Sequence, residues 1–302
     1  MRLLVTGREG QVARSLVESA VRANIDLVAL GRPDLDLAGP QRAIVAAIEA
    51  ARPDAIVSAA AYTQVDKAES EIETAFAVNE HGAEAVARAA SRLGVPLVHL
   101  STDYVFDGTK ADPYVEDDPT HPAGVYGASK LAGEKAVLAE HANCAVLRTA
   151  WVYSPFGANF VKTMLRLAET REDIGVVADQ RGNPTSALDI ADALLTVAGN
   201  LRDRREPSLR GIFHMTAAGE ASWADLAEAV FDASARGGGP SARVKRISTA
   251  DYPTPARRPA NSRLDSSRLE HIHRVSLPNW RESLQVVVDR LVQSGESGAA
   301  IQ

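Results

Sequence analysis

The sequence predicts an α/β fold built on a doubly wound parallel sheet, with a smaller, mostly C-terminal lobe. In the first half of the chain, short apolar runs alternate with amphipathic segments, the pattern of a parallel sheet with helices on both faces. The first apolar run, Arg2–Val5, leads directly into a glycine-rich turn, as in Rossmann-type domains. Hydrophobic residues make up 45% of the 302 residues, which is enough for one large domain and a lobe.

The glycine turn is the first candidate site. Gly7 permits a tight turn, and Gly10 lets the backbone approach a pyrophosphate. Gln11 and Val12 begin the next helix, whose N-terminus offers free N–H groups and the positive end of its dipole. The third small residue is Ala13 rather than glycine. We expect this turn to bind a dinucleotide, with an ordinary turn as the alternative.

The second strand, Asp26–Leu30, indicates which dinucleotide. Gly31 and Arg32 follow at its end, where a doubly wound fold places the adenosine ribose, and Arg8 lies in the glycine turn. Two guanidinium groups there favour the ribose phosphate of NADP, although both could be solvated surface residues. The sequence therefore predicts NADPH as cofactor and does not fix how strictly NADH is refused.

The strand at Ala55–Ser58 ends in small residues that would let a cofactor lie close. An amphipathic helix over 72–93 and a strand over 95–100 follow, and the second delivers Ser101–Tyr104 to the carboxyl edge of the sheet, where ligands bind. Asp36 and Leu37, before the helix that precedes the Ala55–Ser58 strand, could flank the adenine. The further cofactor contacts that we expect are Asp36, Leu37, Ala61, Tyr62, Thr63 and Leu100.

A helix start at Tyr126 supplies candidate chemistry. Lys130 lies four residues further on, so the two side chains share a helix face. A nearby ammonium would lower the pKa of the phenol towards neutrality and make Tyr126 an acid for a carbonyl oxygen. Surface neighbours at this spacing are the alternative.

Beyond residue 150 the alternation loosens. We expect residues 1–150 to form the cofactor domain and residues 151–302 to form mainly the substrate lobe, with about 174–215 rejoining the first domain. A helix is expected near 160–170, a strand at 174–177 and a frayed tail at 295–302.

Composition restricts the class of protein. The net charge of −6 and the lack of a basic, aromatic-rich run argue against a nucleic-acid partner. No apolar run approaches the ~20 residues that span a bilayer, and the first strand leaves no room for a signal peptide, so we expect a cytoplasmic protein and no membrane partner. The lone cysteine, Cys144, excludes an intrachain disulfide and is expected to be a core thiol.

Several runs together resemble one family over nearly the whole chain. The chain is similar to dTDP-4-dehydrorhamnose reductases, which belong to the extended short-chain dehydrogenase/reductase superfamily. The matching runs are Gly7–Gln11, Asp66–Glu69, Ser101–Phe106, Tyr126–Glu134, Arg148–Tyr153 and Thr254–Leu264. The last run matters most, because the Tyr-Lys motif is common to the whole superfamily.

The resemblance implies an activity. It is the NADPH-dependent reduction of the 4-keto group of dTDP-4-dehydro-beta-L-rhamnose to dTDP-beta-L-rhamnose, the last step in making a sugar donor for surface polysaccharide. Tyr126 would donate a proton to the keto oxygen, and Thr102 would hydrogen-bond the same oxygen. Lys130 would hold the nicotinamide ribose and bias Tyr126.

The resemblance also implies substrate contacts, with Asp103, Tyr104 and Trp151 touching the sugar nucleotide. Arg257, with Arg258, would pair with its diphosphate. For these residues a turn cap, a core tryptophan and a solvated arginine pair are the structural alternatives. Asn79 resembles an asparagine that supports the lysine through water.

The chain departs from the family pattern at one point. Some members are magnesium-linked dimers that use glutamates at positions matching Ser15 and Leu188 here. Neither is a strong magnesium ligand. We therefore expect no structural magnesium and a monomer, with a dimer left open.

Two other classes of function stay open, a different enzyme on the same fold and a non-catalytic protein. A sugar-nucleotide reductase of other specificity, a dehydratase or an epimerase would use the same fold, although Thr102-Asp103 is followed by Tyr104, where elimination would need a second acid. A non-catalytic NADP-binding regulatory subunit is the alternative from another class.

Overall fold

A computed structural model describes residues 1–295, so most of the tail predicted over 295–302 lies outside the described residues. The strands are β1 (Arg2–Thr6), β2 (Asp26–Leu30), β3 (Ala55–Ser58), β4 (Leu97–Thr102), β5 (Cys144–Thr149), β6 (Val152–Tyr153), β7 (Asp173–Val177), β8 (Arg181–Gly182), β9 (Thr185–Ser186), β10 (Gly211–His214), β11 (Ala217–Ala218), β12 (Ala221–Ser222), β13 (Arg243–Ile247) and β14 (Leu277–Asn279).

The helices are α1 (Gln11–Arg22), α2 (Gln41–Ala51), α3 (Val65–Ala68), α4 (Ile72–Phe76), α5 (Ala83–Leu93), α6 (Val125–Glu140), α7 (Phe160–Ala168), α8 (Ala187–Asp203), α9 (Trp223–Arg236), α10 (Ser267–His273) and α11 (Trp280–Gln293). A π-helical turn, Ala77–Gly82, joins α4 to α5, and short 3₁₀ turns lie at Asp103–Val105, Pro207–Leu209 and Thr249–Asp251.

The centre of the molecule is a six-stranded parallel sheet in the order β10-β5-β4-β3-β1-β2. The direction of strand addition reverses between β1 and β3, which creates a crevice at their carboxyl ends. This confirms the predicted Rossmann-type fold.

Alternate residues of the inner strands pack against helices on opposite faces of the sheet. Leu3 and Val5 pack into one buried layer with α1 and α8, whereas Leu4 and Ile56 pack into the other with α2 and α5. Strands buried on both faces read as continuous apolar runs, which is why the sequence predicted a parallel sheet. Cys144 is buried in the second layer, as expected of a core thiol.

The later residues contribute to both parts of the molecule. Within residues 174–215, β10 joins the sheet beside β5, and α8 packs against α1. In contrast, β7 pairs with β13 outside the central sheet and lies near α9. Among the described residues, no helix is long and apolar enough to cross a membrane.

Two element boundaries differ from the prediction. The helix expected over 72–93 contains the π-helical turn, which turns Asn79 inward and brings Gly82 so close to the Leu37 carbonyl oxygen that a Cβ would lie 2.6 Å from it. The strand expected over 95–100 spans Leu97–Thr102 instead, so Ser101 and Thr102 belong to the sheet and Thr102 pairs with Thr149.

Candidate active site

The helix that carries Tyr126 is positioned by its close contact with the chain after β4. A Cβ on Gly127 would lie 2.1 Å from the Tyr104 carbonyl oxygen, and one on Gly133 would lie 2.0 Å from that of Asn79. Only glycine permits this approach. At the start of α6, the Glu69 carboxylate accepts a hydrogen bond of 2.9 Å from the Val125 N–H. Tyr126 therefore lies in the first turn, against the end of β4.

Thr102, Asp103 and Tyr104 meet Tyr126 at this edge. The Thr102 hydroxyl donates to Asp103 Oδ1 at 3.0 Å and accepts from the Tyr104 N–H at 3.3 Å. It also interacts with the Tyr126 phenol by hydrogen bonding. The ring of Tyr104 packs edge-on against that of Tyr126, with centroids 5.5 Å apart. The hydroxyl and the phenol that the sequence paired thus converge in the structure.

The predicted direction of the Tyr126 pKa shift is wrong. Burial raises the pKa of the Tyr126 phenol, hydrogen bonding with Thr102 lowers it only in part, and the negative charge of Asp103 raises it further. The spacing of Tyr126 and Lys130 indicated the ammonium but not this desolvation, which depends on the tertiary structure. The phenol is therefore held protonated.

Lys130 is buried beneath the site. Its ammonium donates to the Leu100 carbonyl oxygen at 2.7 Å. Burial lowers the pKa of Lys130 to about 8, and the carboxylate of Glu134 opposes that shift. Burial also raises the pKa of Asp103 to about 6. At neutral pH the site therefore combines a protonated phenol, an ammonium and a carboxylate, Asp103, whose pKa lies only slightly below the pH.

A buried ion pair holds α6 to two strands, and sequence reasoning missed it. Glu134 accepts from Arg148 at 2.9 and 2.7 Å and also from the Ser101 hydroxyl. Both charged side chains are at most 2% exposed. The runs that carry Glu134 and Arg148 were noticed as motifs, but nothing in their spacing paired them.

Asn79 links the loop after β3 to the catalytic helix. Its Oδ1 accepts from the Tyr62 N–H at 2.8 Å, and its Nδ2 donates to the Tyr62 carbonyl oxygen at 3.1 Å and to the Ser129 hydroxyl at 3.0 Å. These direct bonds position the backbone of Tyr62, a predicted cofactor residue. Ala61 is partly exposed beside it, and Thr63 is exposed.

The glycine turn has the features that a pyrophosphate site needs. Gly7 has a φ of +98°, which favours glycine, and a Cβ on Gly10 would meet no atom of residues 1–295 within 4 Å. Among the described residues no side chain caps the N-terminus of α1, so its first N–H groups can take an anion. The side chain of Gln11 is held by Ser154 at 2.8 Å and Asn159 at 3.0 Å, and Val12 packs on the core. These residues fit a dinucleotide.

At the predicted adenosine-ribose site, one of the two arginines already has partners within the protein. Arg8 pairs with Asp34, and its Nε donates to the Ala29 carbonyl oxygen at 3.2 Å. Arg32 is exposed near the end of β2. Asp36 accepts from the Ala38 N–H at 3.0 Å, which fixes the turn that buries Leu37. Arg32 is thus the more available of the two guanidinium groups.

Trp151 is part of an aromatic stack that the sequence did not predict. It has a φ of +48°, and its partly exposed ring lies parallel to that of Trp223, with centroids 3.6 Å apart. Gly182 lies so close to the ring that a Cβ would be 2.4 Å from Trp151 Cε2. The Trp223 Nε1–H donates to Gln180 at 3.1 Å. The stack fixes the Trp151 ring just after the carboxyl end of β5.

The two arginines of the run 254–264 have different surroundings. Arg257 is exposed, whereas Arg258 pairs with Asp66 at 2.6 Å and lies beside the Tyr104 phenol. The two positions compared with magnesium ligands are occupied differently: the Ser15 hydroxyl donates to the Gln11 carbonyl oxygen at 2.8 Å, and Leu188 is an apolar side chain at the start of α8. The part of the chain that the structure describes has no group of three or more His, Cys, Asp or Glu side chains that could hold a metal.

The fold and this site define a class: a Rossmann-type oxidoreductase of the short-chain dehydrogenase/reductase kind. Residues 1–293 match the family model described as RmlD substrate binding domain. The chain is 53% identical to the dTDP-4-dehydrorhamnose reductase of Sinorhizobium fredii over 98% of this chain and 99% of that one. It is 44% identical to the enzyme of that name from Burkholderia thailandensis over 97% and 99%.

Among solved structures, the dTDP-4-dehydrorhamnose reductase of Bacillus anthracis in complex with NADP superposes with a TM-score of 0.88 at 34% identity, covering 95% of this chain and 98% of that one. The chain therefore belongs to the dTDP-4-dehydrorhamnose reductase family. The resemblance read from the sequence is confirmed.

Proposed function

We propose that this protein reduces the 4-keto group of dTDP-4-dehydro-beta-L-rhamnose to dTDP-beta-L-rhamnose with NADPH. The observation that carries the proposal is the convergence of the Thr102 hydroxyl and the protonated Tyr126 phenol at the carboxyl end of β4. Two such hydroxyls suit a carbonyl oxygen that becomes negative as it is reduced, with the Thr102 hydrogen turning from Asp103 Oδ1 to that oxygen. Membership of the dTDP-4-dehydrorhamnose reductase family indicates which substrate carries this carbonyl group.

Each catalytic group has a definite role. Tyr126 donates the proton that the substrate oxygen acquires, and burial supports this role because it keeps the phenol protonated until that oxygen becomes basic. Thr102 holds the same oxygen in place. Lys130 holds the ribose of the cofactor and supplies positive charge beneath the phenol. When bound, NADPH supplies the two electrons and the hydrogen that reduce the carbonyl carbon.

The remaining site residues bind and orient. The glycine turn and the loop after β3 hold the cofactor, which is the task of residues 1–150, while residues mainly within 151–302 hold the sugar nucleotide. Asp103, Tyr104, Trp151 and Arg257 are its contacts. The exposure of Arg257 supports a diphosphate role, because that guanidinium is not committed to an ion pair among the described residues.

The proposal includes a monomeric enzyme that works in the cytoplasm without structural magnesium. The hydrogen-bonded Ser15 hydroxyl and the apolar Leu188 support the magnesium part, since octahedral magnesium requires hard oxygen ligands. Sedimentation in the presence and absence of EDTA tests it. Dimers that EDTA dissociates would contradict it.

The decisive experiment follows the loss of NADPH absorbance with enzymatically generated dTDP-4-dehydro-beta-L-rhamnose, in parallel with NADH. Wild-type protein should turn over, and Tyr126→Phe should lose ~100- to 10,000-fold in kcat while its NADPH affinity stays the same. NADPH binding without turnover would overturn the proposal and favour another 4-keto sugar or a regulatory role. Tightly retained NAD would favour an epimerase.

A further inference from the structure

We infer that Asp66 and Arg258 are positioning residues of this reductase, acting on the catalytic phenol through Tyr104. The inference rests on the proposed function and adds to it two side chains that touch neither reacting group. It also gives Arg258 a role different from the diphosphate contact that the sequence suggested.

The first step is the link between the two parts of the chain. Asp66 lies on the short helix α3, just after the loop that follows β3. Its Oδ2 pairs with Arg258 at 2.6 Å, and its Oδ1 accepts from the Ala256 N–H at 3.2 Å. One carboxylate thus holds both the side chain and the backbone of the segment 254–264.

The second step is the contact between Arg258 and Tyr104. The guanidinium lies close enough to the Tyr104 phenol for its charge to oppose the burial and the negative charge of Asp103, which together raise the pKa of Tyr104 to about 12. Only 21% of the Arg258 side chain is exposed. With Asp66 on one side and the phenol on the other, the planar guanidinium fixes where the end of the Tyr104 side chain lies.

The third step connects Tyr104 to the chemistry. Its ring contacts the Tyr126 ring edge-on, its N–H donates to the Thr102 hydroxyl, and its carbonyl oxygen faces Gly127. A shift of Tyr104 therefore moves both groups that hold the substrate oxygen. Displacements of about 1 Å in such groups cost up to about a hundredfold in rate.

The neighbouring residue Glu69 adds a second contact between this segment and the helix that carries Tyr126. It caps α6 through the Val125 N–H, so the segment that carries Asp66 also holds the start of the catalytic helix. Residues 66–69 therefore hold Tyr126 from its own helix and from the ring packed against it. Asp66 acts on the position of the phenol relative to the substrate rather than on the cofactor.

A double-mutant cycle tests this inference with Asp66→Asn, Tyr104→Phe and the two combined, each assayed for kcat, KM, NADPH affinity and Tm. Wild-type turnover is measured first, because its absence would refute the proposed function and not this inference. We expect Asp66→Asn to lower kcat at least tenfold with unchanged NADPH affinity. The double variant should be no slower than the slower single variant, because residues of one network are not additive.

Two further variants separate positioning from stability. Arg246→Gln removes an ion pair with Asp225 and Glu228 in the lobe and should lower Tm without changing kcat. Arg258→Lys keeps a cation for Asp66 but not the planar fork, so its kcat should fall while its Tm stays near that of the wild type. Arg258→Lys also tests the inference if Asp66→Asn fails to fold. Unchanged kcat in Asp66→Asn or Arg258→Lys, or effects that multiply in the double variant, would overturn the inference.

Discussion

Replacing Gly182 with alanine tests how firmly the aromatic stack holds Trp151. The added Cβ would lie 2.4 Å from Trp151 Cε2, 2.6 Å from Nε1 and 2.8 Å from Cζ2. Carbon atoms pack best at about 3.5 Å, so the ring has to move by about 1 Å. The same ring is stacked on Trp223, which is itself held by Gln180 and Phe160.

The magnitude follows from this lack of room. Overpacking of a rigid site costs about 1–3 kcal/mol. For a chain of this size, each kcal/mol corresponds to about 2–4 °C in Tm. Because Trp151 is the proposed sugar-nucleotide contact, we expect the KM for the substrate to rise about tenfold, which equals about 1.4 kcal/mol of lost binding. NADPH affinity should not change.

The assay compares Gly182→Ala with a matched glycine change. Gly199 lies inside α8, and a Cβ there would meet none of the described atoms within 4 Å, so Gly199→Ala should raise stability by about 0.5–1 kcal/mol. Differential scanning calorimetry gives the Tm, and steady-state kinetics gives KM. A Gly182→Ala protein with the Tm and KM of the wild type would refute the reasoning about the stack.

Three further predictions concern the charged groups. Glu134→Gln leaves the buried Arg148 guanidinium without its counter-ion and should cost about 3–5 kcal/mol in urea unfolding, whereas Glu134→Leu with Arg148→Met should cost less; a smaller loss for the single change would contradict this. Arg32→Ala should weaken NADPH about tenfold and leave NADH unchanged, since a charge-assisted hydrogen bond is worth about 1.5–3 kcal/mol; equal effects in calorimetric titrations would remove the role of Arg32. Because the pKa of Lys130 is lowered to about 8, its ammonium is present below that pH and lost above it, so kcat/KM should fall as the pH rises through about 8; a flat pH profile to pH 10 would argue against the role of Lys130.

The sequence predicted the parts of the fold that depend on local pattern. Continuous apolar runs predict strands buried on both faces, and the glycine after β1 predicts a turn whose positive φ the structure has at Gly7. These features need only neighbours in the chain. Family membership could also be recognised, because its motifs are contiguous runs of residues.

The sequence could not predict contacts that join distant residues. Asp66 and Arg258 lie 192 positions apart, and nothing near either of them indicates the other. The close approach at Gly182 depends on a ring 31 positions earlier, from residue 182 to residue 151. The pKa of Tyr126 was misjudged for the same reason: the i, i+4 spacing reveals a charge, but desolvation is a property of everything packed around the phenol. Gly127 and Gly133, both inside a helix, were signals of a close approach that could have been used.

The two glycines of the catalytic helix have a consequence for how this protein can diversify. At Gly127 and Gly133 the nearest neighbours of the helix are carbonyl oxygens of the main chain. Main-chain oxygens are present whichever residues occupy positions 104 and 79, so these two close approaches do not depend on the side chains there, whereas the Tyr104 ring and the Asn79 amide hold the helix through separate contacts with Tyr126 and Ser129. On the proposed division of labour, changes in the residues within 151–302 that hold the sugar can alter which sugar is admitted while these main-chain contacts keep Tyr126 in place. A new specificity can arise in this scaffold without rebuilding the chemistry.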